Sequence, residues 1–174
     1  LVRHAIARTP QMPLMLQENF TVRLLEMLRT GEIDCAILAE PFPDTGLALA
    51  PLYDEPFMAA VPSTHPLAQK KSLSTTDLKN ETMLLLGAGH CFRDHVLGVC
   101  PELMRFSQTA DGIQKTFEGS SLETIRHMVA SGVGISVVPI SAAKSWPQNG
   151  SLLQYRDFTQ PAPFRRVGIA WRAS

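Results

Sequence analysis

The sequence predicts an α/β fold with a parallel sheet covered by helices. Helical and strand patterns alternate along the chain in a β-α-β order, which is typical of parallel sheets. Residues 33–38 are apolar except for Asp34, as in a strand that is buried on both faces. The chain has 174 residues, of which 45% are hydrophobic and 18% charged. This size and composition suit one globular domain or two small lobes.

In the first half of the chain, two apolar stripes at helical spacing indicate helices. Residues 1–9 form the first, which Pro10 ends, and residues 21–30 form the second, which Gly31 ends. Strands are predicted at residues 13–18, 33–38, 47–52 and 57–61, with a loop at 41–46 and a turn at 62–66.

The second half of the chain continues the alternation. A short helix is predicted at residues 74–78 and a longer one at 90–99. A third begins at Ser120, which has capping-box spacing to Glu123, and ends at Gly132 and Gly134. Strands are predicted at residues 82–86, 114–117, 135–138 and 167–171.

Charge and composition argue against several classes of protein. Sixteen basic residues balance sixteen acidic ones, so the formal net charge is zero and this chain is not expected to bind a nucleic-acid backbone by itself. Its apolar runs are far shorter than the ~20 residues of a membrane span. Three cysteines, an odd number, favour a reducing cytoplasmic setting over a disulfide framework. Because the chain begins with Leu1 and no signal-like segment follows, we expect a piece of a longer protein.

Residues 87–95, with the sequence GAGHCFRDH, carry the strongest chemical signal. A glycine-rich turn leads from an apolar strand into a helix, which places Cys91 near the helix N-terminus. Backbone N–H groups and the positive end of the helix dipole favour a thiolate there. His90 and Arg93 could add positive charge, whereas Asp94 would oppose that charge or orient the arginine. Cys91 is therefore a candidate reactive cysteine, and the alternative is a small buried hydrophobic residue.

A second cysteine, Cys100, follows Cys91 nine positions later. In one continuous helix nine residues span about 13.5 Å, and the two side chains point to opposite faces. A disulfide needs Cα atoms closer than about 7 Å. Either the pair never bonds, or it bonds only when the helix unwinds. A pair of the second kind is a redox switch rather than a structural crosslink.

Other uses of the cysteines and histidines are weaker. Zinc would have four potential ligands in His90, Cys91, His95 and Cys100. Their spacing matches no usual zinc-finger pattern, so we expect no metal. We also expect no cofactor, because there is no P-loop and the glycine turn lacks the third glycine of a dinucleotide fingerprint. Cys35, inside the apolar strand at 33–38, is expected to be an inert core thiol.

Several stretches together resemble the effector-binding domain of LysR-type transcription regulators. They are GEIDCAIL at 31–38, LYDEPF at 52–57, VP at 61–62 with HPL at 65–67, and MVASGVGISVVP at 128–139. The resemblance covers nearly the whole chain. Within that family, GHCFRD at 89–94 with Cys100 nine residues after Cys91, and SLETIR at 121–126, resemble the members that sense hydrogen peroxide.

The resemblance implies two Rossmann-like α/β lobes of the periplasmic-binding-protein type II architecture, joined by two crossovers. Lobe I would hold residues 1–53 and 160–174, without the family's first strand and last helix. Lobe II would hold residues 54–159 and both redox cysteines. The crossovers would lie in the proline-flanked stretches near residues 51–56 and 158–163.

The resemblance also implies roles for individual residues. Cys91 resembles the peroxidatic cysteine and Cys100 the resolving cysteine, which together form a reversible disulfide. The residues implied for the peroxide pocket and for activating the thiolate are Thr21, His90, Arg93, Asp94 and Arg166. By its position alone, Thr21 would be a helix N-cap. The resemblance implies no role for the histidine at position 95.

The implied function is that of a peroxide-sensing regulatory domain of a transcription activator, not of an enzyme. Closing the disulfide would remodel about residues 90–103 and alter a lobe or dimer surface. The implied partners are hydrogen peroxide, further copies in a homodimer or homotetramer, and a thiol reductant such as glutaredoxin. DNA would be bound by a helix-turn-helix domain outside this chain. The full-length protein would also contact RNA polymerase. We expect a cytoplasmic protein with no membrane partner.

Three alternatives remain from the sequence. The first is a LysR-type effector domain that binds a small organic molecule between its lobes, where Cys91 only lines the cleft. The second is a thiol peroxidase, which would share the first chemical step but consume peroxide continuously with a reductant. The third is a periplasmic solute-binding protein, which would need a signal segment upstream.

Overall fold

The computed structural model of the chain describes residues 2–41, 46–99, 116–144 and 152–173. Five α-helices and eight strands lie in these ranges. The helices are α1 (Val2–Arg8), α2 (Thr21–Thr30), α3 (Cys91–Val99), α4 (Leu122–Ala130) and α5 (Ile140–Lys144). The strands are β1 (Cys35–Ala39), β2 (Ala48–Pro62), β3 (Ser72–Leu73), β4 (Met83–Leu86), β5 (Thr116–Gly119), β6 (Ser136–Pro139), β7 (Leu153–Phe158) and β8 (Phe164–Trp171). Two short 3₁₀ helices, Pro66–Gln69 and Thr75–Leu78, flank β3.

The long strand β2, with 15 residues, joins two groups of strands. Its residues 48–56 pair antiparallel with β8, and β8 pairs with β1. Its residues 57–62 pair antiparallel with β6 and β7, and β3 lies parallel to β7. The two short strands predicted at 47–52 and 57–61 are therefore one strand, because residues 53–56 also find hydrogen-bonding partners on β8.

Most of the strand pairs are antiparallel, which corrects the prediction of a parallel sheet. In the described part of the chain, parallel pairing occurs between β3 and β7, between β4 and β5, and at a bridge from Met83 to Ile135. The reason is that β8 lies between β1 and β2 and runs antiparallel to both. The alternation of helices and strands along a sequence does not reveal which strands become neighbours.

The main hydrophobic core surrounds β4, whose four residues are all buried. Helices α3 and α4 pack against this strand, and the second part of β2 contributes Phe57 and residues 59–61. A smaller cluster joins α2 to β1 and β8 through Leu25, Leu28, Ala36, Leu38 and Ala170. A short turn connects the fully buried strand β4 to helix α3. The close packing around β4 therefore holds the N-terminus of α3 in place.

Local signals predicted the helices well. Helix α2 matches the predicted residues 21–30, and Gly31 ends it in the left-handed region with φ 81°, where glycine is favoured. Helix α4 begins one residue later than predicted. Its N-cap is Ser121, not Ser120, because the side chain of Ser121 accepts a hydrogen bond from the backbone N–H of Thr124.

Residues 13–18 form no strand, contrary to the prediction. Their side chains are exposed, and Met15 is 82% exposed. An extended segment becomes a strand only when a neighbour pairs with its backbone N–H and C=O groups. Among the described residues no strand pairs with this segment.

Cys35 is exposed, which corrects its prediction as a core thiol. Side chains alternate between the two faces of a strand. On β1, Ala36 and Leu38 pack into the α2 cluster, whereas Cys35 and Ile37 point to the other face, and Ile37 is 48% exposed. The strand is thus covered on one face, and the apolar run at 33–38 did not reveal this.

Gly134 lies two residues before β6, next to the buried Ile135, and we expect its replacement by alanine to destabilise the fold. The backbone of Ile135 donates to the carbonyl of Thr82 and accepts from the N–H of Leu84, so the two segments are in close contact. A β-carbon on Gly134 would collide with the carbonyl oxygen of Thr82, a backbone atom that cannot rotate away. We expect Gly134→Ala to lower the free energy of unfolding by about 1–3 kcal/mol in urea titrations.

The matched control for this prediction is Gly98→Ala. Gly98 lies in α3, and a β-carbon there would meet nothing within 4 Å. Alanine is favoured over glycine in a helix interior, so this variant should be neutral or slightly stabilised. Equal stability of the two variants would show that the contact between Gly134 and Thr82 is not as tight as described.

Candidate functional site

The turn between β4 and α3 places Cys91 at the first position of α3. The backbone N–H of Gly87 donates to the carbonyl of Gly119 on β5, which fixes the start of the turn. Gly89 has a φ of 95°, a conformation that side-chain-bearing residues rarely adopt. The predicted sequence of apolar strand, glycine-rich turn and helix is therefore confirmed. Cys91 is half-buried and is a free thiol.

A cavity of about 700 Å³ opens beside Cys91, between α3 and the segment 161–166 that leads into β8. Cys91, Asp94 and His95 line it from α3. Arg165 and Arg166 line it from β8. Two of the side chains predicted around the cysteine, Asp94 and Arg166, thus meet Cys91 at one cavity, although Arg166 is distant in sequence.

The two arginines of this cavity are each paired with a carboxylate on β2. Arg166 donates to both oxygens of Asp54, at 2.8 and 3.0 Å, and these bonds hold the pKa of Asp54 below its ordinary value. Arg165 donates to Oε2 of Glu55 through Nε at 2.8 Å, and its Nη2 forms an ion-pair contact with the same oxygen at 2.7 Å. Glu55 is only 3% exposed, so the second pair is buried whereas the first lies at the surface.

Three other predicted site residues lie away from this cavity. Arg93 turns toward β4 and β5, where Nη1 donates to the carbonyl of Leu86 at 2.9 Å and to Glu118 at 2.5 Å. The ring of His90 meets the ring of Phe20 edge-on, with centroids 5.0 Å apart.

Thr21 is the first residue of α2 and is partly buried. The N-cap of α2 is Phe20 rather than Thr21, which corrects the assignment by position. Since Phe20 contacts His90, the N-terminus of α2 lies against the turn before α3. The residue before Thr21 thus contacts His90, although neither Thr21 nor His90 lines the cavity.

His95 lines the cavity, and the sequence left its role open. Its Nε2–H donates to the backbone carbonyl of Glu40 at 2.7 Å, because a carbonyl oxygen can only accept. Its ring lies 6.4 Å from the ring of Phe57 and 6.3 Å from that of Phe92. One sequence signal was available, because His95 follows Cys91 by four residues and so shares its face of the helix.

Cys100 lies outside the described residues, as does the rest of the segment 100–115 between α3 and β5. Helix α3 extends to Val99, so it is continuous from Cys91 to the residue before Cys100. Among the residues that the structure describes, no group of three His, Cys, Asp or Glu side chains could hold a metal ion. In the same residues, none of the helices has the length and apolar character needed to cross a membrane.

Comparison with known proteins gives the chain its family. The family model described as "LysR substrate binding domain" matches residues 1–174. A "Probable hydrogen peroxide-inducible genes activator" of Mycobacterium avium is 36% identical over 167 residues, which are 96% of this chain and 52% of that protein. The "DNA-binding transcriptional dual regulator OxyR" of Escherichia coli (strain K12) is 35% identical over 163 residues, which are 94% of this chain and 51% of that protein.

A solved structure gives the same result. The reduced form of the OxyR regulatory domain from Pseudomonas aeruginosa is 47% identical, with a TM-score of 0.85, and the match covers 99% of this chain and 80% of that one. The chain spans about half the length of the two curated relatives. Because the family model matches from end to end and the relatives are similar along nearly all of it, the chain belongs to the family of LysR substrate-binding domains.

Proposed function

We propose that this chain is the peroxide-sensing regulatory domain of an OxyR-like transcription activator. The observation that carries the proposal is the position of Cys91. Its thiol stands at the first turn of a helix, is half-buried, and opens on a cavity that also holds Asp94 and Arg166. Backbone N–H groups at a helix N-terminus stabilise an anion, such as a thiolate or the hydroxide that peroxide releases when its O–O bond breaks. The name of the Mycobacterium avium relative points to hydrogen peroxide as the oxidant.

The reaction would proceed in two balanced steps. The sulfur of Cys91 attacks one oxygen of hydrogen peroxide, the O–O bond breaks, and the leaving hydroxide takes a proton to become water. Cys91 is then a sulfenic acid. The sulfur of Cys100 attacks it, a disulfide forms, and a second water leaves. One peroxide is reduced for each pair of thiols oxidised, and a thiol reductant such as glutaredoxin would reset the pair.

Neighbouring side chains would assist the first step. Asp94 and Arg166 lie on the cavity wall, and Arg166 keeps donors beyond those given to Asp54. His90 and Arg93 flank Cys91 in the turn and the first turn of α3, and Thr21 lies at the adjacent end of α2. Asp94 and Arg166 would bind the peroxide oxygens from the cavity wall, whereas Thr21, His90 and Arg93, which lie outside the cavity, would assist from the N-terminal side of α3.

The second step would require α3 to change shape. The described helix runs without interruption from Cys91 to Val99, and nine residues of helix span about 13.5 Å. A Cys91–Cys100 bond would therefore remodel about residues 90–103. The division into a lobe of residues 1–53 with 160–174 and a lobe of residues 54–159 would transmit this change. It is supported by β2, which exchanges β8 for β6 and β7 as partners near residue 56.

The remaining parts of the proposal concern the whole protein. A homodimer or homotetramer, DNA, RNA polymerase and a cytoplasmic location would suit a full-length activator of which this chain forms about half. The chain itself would not act as an enzyme. A sensor reacts once and then waits for reduction, whereas a thiol peroxidase turns over.

Peptide mapping by mass spectrometry, without reductant, tests the proposal. After about one equivalent of hydrogen peroxide we expect a peptide linked through Cys91 and Cys100 to appear, and a thiol reductant to remove it. The exposed thiol of Cys35 could form unrelated links between molecules, so a Cys35→Ser variant is the matched control and should behave in the same way. Free Cys91 and Cys100 with unconsumed peroxide would contradict the proposal.

One observation favours a second function. A volume of about 700 Å³ lies within the range of small-molecule sites and is far larger than one peroxide molecule needs. The cavity could instead take an organic effector, as the sequence alternative supposed. The peptide map separates the two functions, since an effector domain in which Cys91 only lines the cavity would leave both thiols free.

A further inference from the structure

We propose that His95 is a positioning residue, which anchors α3 to the backbone at the end of β1 and so slows disulfide formation without affecting the reaction with peroxide. The inference deepens the proposed function and rests on it. It assigns a kinetic role to a side chain that takes no chemical part in either step of the proposed reaction.

The anchor is a single hydrogen bond between segments that are 55 residues apart in sequence. Nε2–H of His95 donates to the carbonyl oxygen of Glu40, the residue after β1, at 2.7 Å. The other ring nitrogen, Nδ1, is buried and has no hydrogen-bonding partner among the described residues. The ring therefore makes its polar contact at Nε2, in the direction of β1.

Packing holds the ring in this orientation. Phe57 of β2 and Phe92 of α3 stand edge-on to each other, with centroids 5.4 Å apart, and both rings lie beside His95. Phe57 is 2% exposed and Phe92 is 5% exposed, so the imidazole packs against two buried side chains of the main core. An ordered side chain loses little further entropy on making its hydrogen bond, which favours a lasting contact.

The contacts of α3 are unequally distributed along its length. Arg93 ties the first turn to β4 and β5, and His95 ties the second turn to the end of β1. Beyond His95 the helix is held by apolar contacts of Val96, Leu97 and Val99 with the main core. The hydrogen bond to Glu40 is thus the last side-chain hydrogen bond along the described helix.

Approach of Cys100 to Cys91 requires the intervening turns of α3 to unwind, as the helix geometry shows. Unwinding of these turns would break the hydrogen bond from His95 to Glu40. Peroxide attack on Cys91 needs no such movement, because the thiol already faces the cavity. Loss of the anchor should therefore speed the step from sulfenic acid to disulfide and leave sulfenic acid formation unchanged.

Two amide substitutions separate the anchor from the bulk of the side chain. In His95→Gln the amide nitrogen can reach the position of Nε2 and donate to the carbonyl of Glu40. In His95→Asn the shorter side chain places its amide near the position of Nδ1 and cannot reach that carbonyl. His127→Asn on α4 is the control, because His127 lies at the surface, with 73% of its side chain exposed.

All variants are made in the Cys35→Ser background and compared by rapid-quench mass spectrometry with a dimedone-type label for sulfenic acid. We expect His95→Asn to speed the conversion of sulfenic acid to disulfide roughly threefold to tenfold, the size of effect that one hydrogen bond allows. His95→Gln and His127→Asn should stay within about twofold of the parent. Hydrogen exchange of the α3 amides in the reduced protein should rise in His95→Asn alone.

Equal rates for His95→Asn and His95→Gln would overturn the proposal, as would a change in sulfenic acid formation instead of the second step. The exchange measurement keeps this failure distinct from failure of the proposed function. If the parent forms no disulfide, the proposed function and the kinetic role fail together, and faster exchange in His95→Asn then shows only a structural anchor. If disulfide forms in all variants at one rate, the proposed function stands and the inference about His95 is wrong.

Discussion

Replacing Cys91 with serine should abolish the peroxide-driven disulfide and leave the fold intact. A serine hydroxyl stays protonated at neutral pH and is a far weaker nucleophile toward peroxide than a thiolate. The change exchanges one chalcogen atom for a smaller one at the first position of α3, where serine is well tolerated. We expect peroxide consumption to fall to the level of an ordinary exposed thiol, measured as peroxide remaining after one equivalent is added.

The matched variant for this experiment is Cys100→Ser. It should still react with peroxide at Cys91 but leave a sulfenic acid that persists or oxidises further, because the resolving thiol is gone. Mass spectrometry would show added oxygen on the Cys91 peptide and no loss of two hydrogens. A Cys91→Ser protein that consumes peroxide at the parent rate, or a Cys100→Ser protein that switches normally, would rule out the proposed chemistry.

Arg165→Met should be the most destabilising substitution at the site. It removes the hydrogen bond and the ion-pair contact that Arg165 makes with Glu55, a carboxylate that is 3% exposed. Among the described residues, the N–H of Ser141, at 3.3 Å, is then the remaining donor to this carboxylate. The substitution also removes the guanidinium that lies 5.3 Å from the ring centre of Phe92. Breaking a buried pair in this way costs about 3–5 kcal/mol of unfolding free energy. Urea titration followed by circular dichroism measures the loss.

The neighbouring arginine supplies the comparison. Arg166 makes the equivalent pair with Asp54, one residue earlier on β2, but the two side chains are 49% and 45% exposed. Water replaces a lost partner there, so Arg166→Met should lower the free energy of unfolding far less than Arg165→Met does. Adding Glu55→Gln to Arg165→Met removes the buried charge and should recover part of the loss. Similar losses for the two single variants would mean that burial of Glu55 does not decide the cost.

Much of the site could be predicted because its signals are local. Helix α2 ends at Gly31 because that residue adopts a left-handed conformation, and the sequence shows the glycine. Cys91 begins α3 because a glycine-rich turn follows an apolar strand, and each part lies within a few residues. The capping serine of α4 was misplaced by one position, since two adjacent serines offer the same hydroxyl and only the backbone geometry selects Ser121.

Predictions that depended on distant partners did worse. Residues 13–18 have the composition of a strand but find no pairing neighbour among the described residues. Cys35 lies in an apolar run, yet only one face of β1 is covered. In both cases the residues have the β-propensity of a strand. Whether a strand pairs and which of its faces is buried depend on another segment of the chain lying alongside, which propensity does not record.

By itself the sequence determined the α/β class, the positions of the main helices, the family resemblance and the placement of Cys91 at a helix N-terminus. These features depend on residues that are close together in the chain, where spacing converts directly into geometry. Only the tertiary structure decided that β8 would lie between β1 and β2, which puts Arg165 opposite Glu55 and Arg166 opposite Asp54. It also brought His95 to Glu40. Such contacts join residues tens of positions apart, and they form because core packing and strand register bring the segments together, which no local pattern records.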